Sequence, residues 1–154
     1  MIDVWRLIKR EHAAVAFDGE GARRYGGRWN HKGTAVIYTA DSMALAALEL
    51  FIHLGREGLH LSFVYYRVSI PDNLKITRVG PRSLPGDWRK HPAPTSTRDI
   101  GSAWAGSQKT AVLQVPSALV PHGYNFLLNP RHRDFARLKI SKPEPFGFDQ
   151  RMWK

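Results

Sequence analysis

The stretch Gly26-Gly-Arg28-Trp-Asn30-His-Lys-Gly33-Thr-Ala35-Val-Ile-Tyr38 runs through Asp41-Ser42 into Met43-Ala-Leu45-Ala-Ala-Leu48-Glu49-Leu-Phe51-Ile52-His-Leu54. It reads as a loop, a strand and a helix in succession. Ala35 to Tyr38 is a short apolar run of strand formers bounded by Gly33 and Asp41-Ser42, which predicts a buried strand. Asp41 or Ser42 caps the helix that follows, and Gly55 stops it after Leu54. Because that helix is apolar nearly all round, it is expected to lie largely inside the molecule. Glu49 is its only charge.

Upstream, Val4 to Ile8 alternates as a first strand, with Arg6 and Ile8 on one face and Trp5 and Leu7 on the other. Arg6 is then either a cleft residue or a solvated strand residue. Residues 9 to 33 lack periodicity and contain Gly19, Gly21, Gly26, Gly27 and Gly33, which predicts a loop with at most a short helix. Downstream, Leu61 to Ile70 reads as a strand and Leu74 to Val79 as a half-exposed one. Four prolines between 80 and 96 exclude a continuous helix or central strand there. That segment is either an ordered loop or a mobile lid. Arg98 to Ser107 has helical spacing with Thr97 as its cap. Thr110 to Val115 is a strand that resumes after Pro121; a turn at 132 to 135 and a last strand at 136 to 140 follow.

The 154 residues suit one domain spanning 1–154, and 43% hydrophobic with 23% charged residues is an ordinary globular balance. The expected class is α/β (α+β), one compact mixed domain. The absence of cysteine excludes disulfides, thiolate metal sites and a cysteine nucleophile. Asp3 and Arg6 stand where a signal peptide needs an apolar core, and no apolar run approaches the ~18 residues of a membrane span, so a cytoplasmic protein is expected. Lys plus Arg number 23 against 13 Asp plus Glu, a net charge of +10 that attracts polyanions, nucleotides or an acidic partner without choosing among them.

Arg28, flanked by Gly27 and Trp29, matches phosphate recognition; the competing reading is an arginine that pins its own loop through backbone carbonyls. Neither G-x-G-x-x-G nor G-x-x-x-x-G-K-[ST] is present in the required context. A lone carboxylate on an apolar helix is costly to bury unless paired or functional, so Glu49 is either catalytic or half of an ion pair. Its own helix offers no partner, which leaves Arg28 and Tyr38 as the natural candidates. Ser117 lacks the glycine frame of a serine nucleophile and reads instead as a hydroxyl that bonds a carboxylate or a ligand. The seven histidines show no metal-ligand spacing, so no metal is expected. The net charge, with Trp29, Trp88 and Trp104 among basic residues, keeps a nucleic-acid-binding module as the alternative class.

Taken in order, Gly26 to Tyr38, Ala46-Ala-Leu-Glu49, Val115-Pro-Ser117 and Asn125-Phe-Leu-Leu-Asn129-Pro130 resemble the RES-domain family, from Trp5-Arg6 to Phe146-Gly-Phe-Asp-Gln-Arg151. The departure is at Asp149-Gln150-Arg151, where the family often has a proline before the arginine. The resemblance implies a toxin of a type II toxin–antitoxin pair with an ADP-ribosyltransferase-like fold. Such a toxin degrades NAD by hydrolysis or phosphorolysis, or modifies a protein by ADP-ribosylation. It implies NAD as substrate, inorganic phosphate as a candidate co-substrate and no required cofactor. The implied partner is an Xre-like antitoxin, through which alone nucleic acid would be contacted; no membrane partner is implied and self-association is left open. By the same resemblance Glu49 is the catalytic carboxylate and Arg28 holds the NAD phosphates. Tyr38 lines the nicotinamide side, and Ser117 supports Glu49 or the ligand with Asn125 close by. Arg6, as a cleft residue by strand alternation, joins the candidate binding residues.

Overall fold

Alternation along Ile2–Lys9 (β1) buries Val4 on one face and Leu7 on the other, and this strand organises half of the molecule. The computed structural model describes residues 1–154. After β1 come a 3-10 turn at Arg10–Val15, helix α1 (Glu20–Tyr25), strand β2 (Ile37–Ala40) and helix α2 (Met43–Phe51). Strands β3 (Phe63–Ile70) and β4 (Ile76–Arg78) follow, then helix α3 (Thr95–Ser107), then β5 (Val112–Pro116) and β6 (Tyr124–Leu128). Two short strands close the chain, β7 (Lys139–Ile140) and β8 (Glu144–Phe146).

All eight strands belong to one sheet in the order β4-β5-β6-β2-β1-β3-β7, with β8 also paired to β3. Only β4 and β5 run parallel, because α3 supplies the long crossover that a parallel pair requires. β1 and β3 pair over their full length, from Ile2 opposite Ile70 to Lys9 opposite Phe63. β1 and β2 share a single register pair, Trp5 opposite Ala40. The sheet is therefore two half-sheets, β1-β3 with its short flanking strands and β2-β6-β5-β4, joined at a narrow seam.

The apolar core crosses that seam on one face and is divided on the other. One face of the sheet buries Val4, Ile37, Val68, Ile70, Val112, Phe126 and Leu128 in a continuous cluster. On the other face, Leu113, Val115 and Leu127 pack with Trp29, Trp88 and Trp104 on one half. Leu45 and Ala46 of α2 pack onto Leu7, Ala40 and Phe63, so α2 lies across the seam. From behind, Phe148 packs on Phe51 and Phe63, and the Trp153 indole donates to the Gly55 carbonyl at 3.0 Å.

Several sequence expectations are corrected. α2 is capped by Ser42, whose hydroxyl accepts from the Leu45 amide at 3.0 Å, but it is not enclosed. Only Leu45 and Ala46 are buried, while Leu48 and Ile52 are 41% and 57% exposed, because the sheet covers one side only. The strand expected at 35–38 pairs at Ile37–Ala40, with Ala35 and Val36 buried ahead of it. α3 begins at Thr95, so Thr97 lies inside the first turn rather than at the cap. The strand expected at 136–140 is two residues long, because residues Arg133–Arg137 wind into a 3-10 turn that packs Leu138 into the core. β8, whose Glu144-Pro145 gives no strand signal, was not expected at all. No helix is long and apolar enough to cross a membrane.

Candidate active site

The glycine loop between α1 and β2 is held by a dense set of hydrogen bonds. Gly26 has φ +72°, a positive φ that ends α1 without the strain a side chain would bring. Gly27 leaves room for Tyr38, since a Cβ there would lie 2.6 Å from the tyrosine oxygen. The Tyr38 hydroxyl donates to Asn30 Oδ1 at 2.6 Å and accepts from the Trp29 amide at 3.0 Å. Asn30 is fully buried, and its Nδ2 lies 2.9–3.1 Å from the carbonyls of Ala22, His31 and Thr34. Asn30 thus ties both ends of the loop to β2. Burial pushes the Tyr38 phenol well above its usual range, against smaller lowering effects of the Trp29 amide, Arg28 and Arg98, so it works as a neutral hydroxyl.

Helix α3 presses on the same loop. Thr97 Oγ1 donates to the Arg28 carbonyl at 2.7 Å. A Cβ at Gly101 would sit 1.7 Å from the Trp29 carbonyl oxygen, so only glycine permits this approach. His31 contacts Asp99 at 2.6 Å, and the His31 amide donates to Ser102 Oγ at 2.9 Å.

Arg28 turns outward from this loop. Its Nη1 donates to the carbonyls of Trp88 and Lys90 at 2.9 and 2.8 Å. Arg28 therefore does pin backbone, but the backbone is that of the 80–96 segment rather than its own loop. Its Nε and Nη2 form no hydrogen bond within the protein. Loss of water, and to a lesser degree Arg98, lowers its pKa while Tyr38 raises it. The 80–96 segment is anchored as well as touched: Trp88 is buried beside Trp29, and Arg89 stacks over the Trp88 ring.

Glu49 projects from the last turn of α2 toward β6. Its Oε2 accepts from Asn125 Nδ2 at 3.0 Å, and the same amide reaches the Thr39 carbonyl at 3.1 Å. The partner expected for Glu49, Arg28 or Tyr38, is thus replaced by a neutral amide. The reason is positional: Asn125 stands opposite Ala40 in the sheet, under α2, whereas Tyr38 lies two residues away and is taken up by Asn30 and Trp29. This changes the sign of the electrostatics. An arginine would have depressed the carboxyl pKa; desolvation instead raises it to about 7, with Asn125 lowering it and Asp41 adding to the rise.

Ser117 is 1% exposed, and its hydroxyl accepts from the amides of Leu119 and Val120 at 3.1 and 3.0 Å. It shapes the turn between β5 and β6 and makes no bond to Glu49. Arg6 turns inward on β1 and bridges the seam: Nε donates to the Ala16 carbonyl at 2.7 Å and Nη1 to the Tyr38 carbonyl at 3.0 Å. Burial pushes its pKa down to about 10, so it remains a cation at neutral pH. It clamps β2 against β1 rather than facing open solvent.

The arrangement has two parts on one face of the sheet. Arg28 offers free guanidinium nitrogens at the rim, and Glu49 offers a desolvated carboxyl over the seam, with Tyr38 and Asn125 on the strands between them. Sequence reasoning gave no site role to Asn30 or Arg98 and took Thr97 for a helix cap rather than a partner of the Arg28 loop. Asn30 lies within the Gly26–Tyr38 stretch, but its role depends on the loop folding so that the carbonyls of Ala22, His31 and Thr34 converge on one amide. No group of three histidine, aspartate or glutamate side chains is placed to hold a metal.

Comparison with known proteins bears on this arrangement. The RES-domain family model matches residues 3–149. A protein named Toxin Res from Yersinia enterocolitica is 42% identical over 97% of this chain and 98% of its own. A protein named Prs ADP-ribosylating toxin from Sphingobium sp. is 40% identical over 96% of this chain and 94% of its own. Among solved structures, the crystal structure of the M. tuberculosis MbcT–MbcA toxin–antitoxin complex contains a chain that superposes with a TM-score of 0.75 at 19% identity. The match covers 98% of this chain and 86% of that one, so the two share a fold.

Proposed function

The chain belongs to the RES-domain family, and from that premise we propose that it is the toxin of a toxin–antitoxin pair and cleaves the nicotinamide–ribose bond of NAD. The observation that carries the reading is Glu49: a desolvated carboxyl, with its pKa raised to about 7 and held by one neutral amide, on the face of the sheet that also carries Arg28. A fold retains such a costly group where its charge is used.

In the proposed reaction Arg28 binds the diphosphate through its free nitrogens and sets the nicotinamide riboside over the seam. The bond between the ribose anomeric carbon and the ring nitrogen breaks. Its electron pair goes to nicotinamide, which leaves neutral and needs no general acid. Positive charge develops on the ribose, as in glycoside hydrolysis, and the Glu49 carboxylate stabilises it in a site poor in water. The cationic nicotinamide ring itself favours the ionised form of Glu49 on binding. Water then adds to the anomeric carbon and releases a proton, giving ADP-ribose; inorganic phosphate in place of water gives the 1-phosphate. Tyr38 fixes the floor of the site, Asn125 aims Glu49, and Ser117 and Arg6 hold the surrounding backbone.

A second acceptor, a protein side chain, is favoured by the 40%-identical relative named an ADP-ribosylating toxin. An antitoxin is the proposed partner, as the structural neighbour was crystallised with its antitoxin, and the resemblance makes an Xre-like one the candidate. The net charge of +10 supplies long-range attraction for an acidic segment of it. Incubation with NAD is expected to release nicotinamide without added metal, and mass spectrometry with and without phosphate identifies the acceptor. No nicotinamide under any of these conditions would remove the enzymatic reading.

A further inference from the structure

Arg98 lies one residue beyond Thr97, whose hydroxyl holds the Arg28 carbonyl at 2.7 Å, so the first turn of α3 brings a second guanidinium to the Arg28 loop. The Arg98 Nε is buried and has no hydrogen-bond partner, one of only two such side-chain atoms in the protein. The other, Ser96 Oγ, is in the same turn. No carboxylate neutralises either arginine. The first turn of α3 carries no acidic residue, and nearby Asp99 is engaged with His31. The arginines that do form ion pairs, Arg23, Arg24, Arg133 and Arg151, lie elsewhere. Arg98 is close enough to act electrostatically on both Arg28 and the Tyr38 hydroxyl.

Two like charges held together, one with a buried unpaired donor, are unfavourable in the free protein. An anion between them removes the repulsion and offsets the lost solvation, since guanidinium charge is delocalised over all its nitrogens. We propose that Arg98 is the second arm of a diphosphate clamp with Arg28, and that it contacts the ligand diphosphate directly. The inference rests on the dinucleotide reading of this site. It specifies a ligand with two adjacent phosphates rather than one, because Arg28 is fixed to the 80–96 segment by Nη1 while Arg98 is fixed by α3.

Calorimetric titration with inorganic pyrophosphate and with ADP-ribose, on wild type, Arg98→Gln, Arg98→Lys and Arg28→Ala, tests the clamp. Arg98→Gln is expected to weaken both ligands about tenfold, corresponding to about 1.4 kcal/mol, and Arg98→Lys to recover part of the loss. Binding of nicotinamide alone should not change. In NAD turnover the loss should appear in KM, with kcat within a few-fold of wild type. Thermal unfolding confirms that each variant is folded. Pyrophosphate and ADP-ribose affinities unchanged in folded Arg98→Gln would overturn the clamp, as would wild type binding neither. If wild type binds both ligands in an Arg98-dependent way yet releases no nicotinamide, the clamp stands and the NAD-cleavage reading fails.

Discussion

The glycine loop and helix α2 pack on neighbouring parts of the sheet and are built on opposite terms. The loop is over-determined: Asn30, Tyr38, Thr97 and the close approach of Gly101 fix it from three sides. α2 rests on the seam by Leu45 and Ala46, leaves Leu48 and Ile52 in water, and steadies its one charge with a single bond to Asn125. The contrast separates rigidity from reactivity. In the proposed reaction the loop would hold the substrate in register, while the helix carries a carboxyl whose charge is disfavoured until a positive charge forms beside it.

Variants can break that contrast. Glu49→Gln preserves shape and removes charge; kcat for nicotinamide release should fall by about 100-fold or more with KM nearly unchanged. A drop shared equally between KM and kcat would move Glu49 to the binding side. Arg28→Ala should do the reverse and raise KM for NAD about tenfold or more, since a charge-assisted bond contributes roughly 1.5–3 kcal/mol. An unchanged KM would detach Arg28 from the phosphates.

The third outcome concerns stability and has a definite sign. Because Glu49 binds its proton more tightly in the folded state than in the unfolded chain, its contribution to stability falls as pH rises from about 4.5 to about 7. Glu49→Gln should therefore be more stable than wild type at pH 8, by on the order of 1–3 kcal/mol, and lose most of that advantage near pH 4. Denaturant titrations at the two pH values measure this. The smallest effect is expected at Asn125. Asn125→Ala removes the bond that lowers the Glu49 pKa, so the acid limb of kcat/KM, expected near pH 7, should move upward by about one unit or less. An unmoved limb would assign it to another group.

Local patterns carried much of the architecture. A strand ahead of Asp41, read two residues early at 35 to 38, Ser42 as one of two candidate caps, and the strands β1 and β3 were visible because each depends on neighbours in sequence. β8 and the short β7 were not, since Glu144-Pro145 and Lys139-Ile140 become strands only through pairing with β3. The same limit applies at the site. Glu49 stood out as a lone charge in an apolar helix, but its partner is set by the register that puts Asn125 opposite Ala40. The exposure of Leu48 and Ile52 was likewise hidden, because apolar composition does not say how many sides of a helix are covered.

The seam between β1 and β2 also bears on the order of assembly. β2 takes its full-length pairing from β6, with Ile37 opposite Leu128, whereas β1 pairs fully with β3, from Ile2 opposite Ile70. Each half-sheet must close a long stretch of chain, which places the fold among slow, high-contact-order topologies. The backbone ladders of the two halves meet at one register pair, so their joining relies on side chains that cross the seam, among them Val4, Ile37 and Val68 and the Arg6 bond to the Tyr38 carbonyl, and it is expected to be a late event. Arg28 and Asn125 belong to one half, while α2, which bears Glu49, straddles both. Partly folded chains would then hold the pieces of the site without its geometry, and activity during refolding should lag behind the recovery of secondary structure.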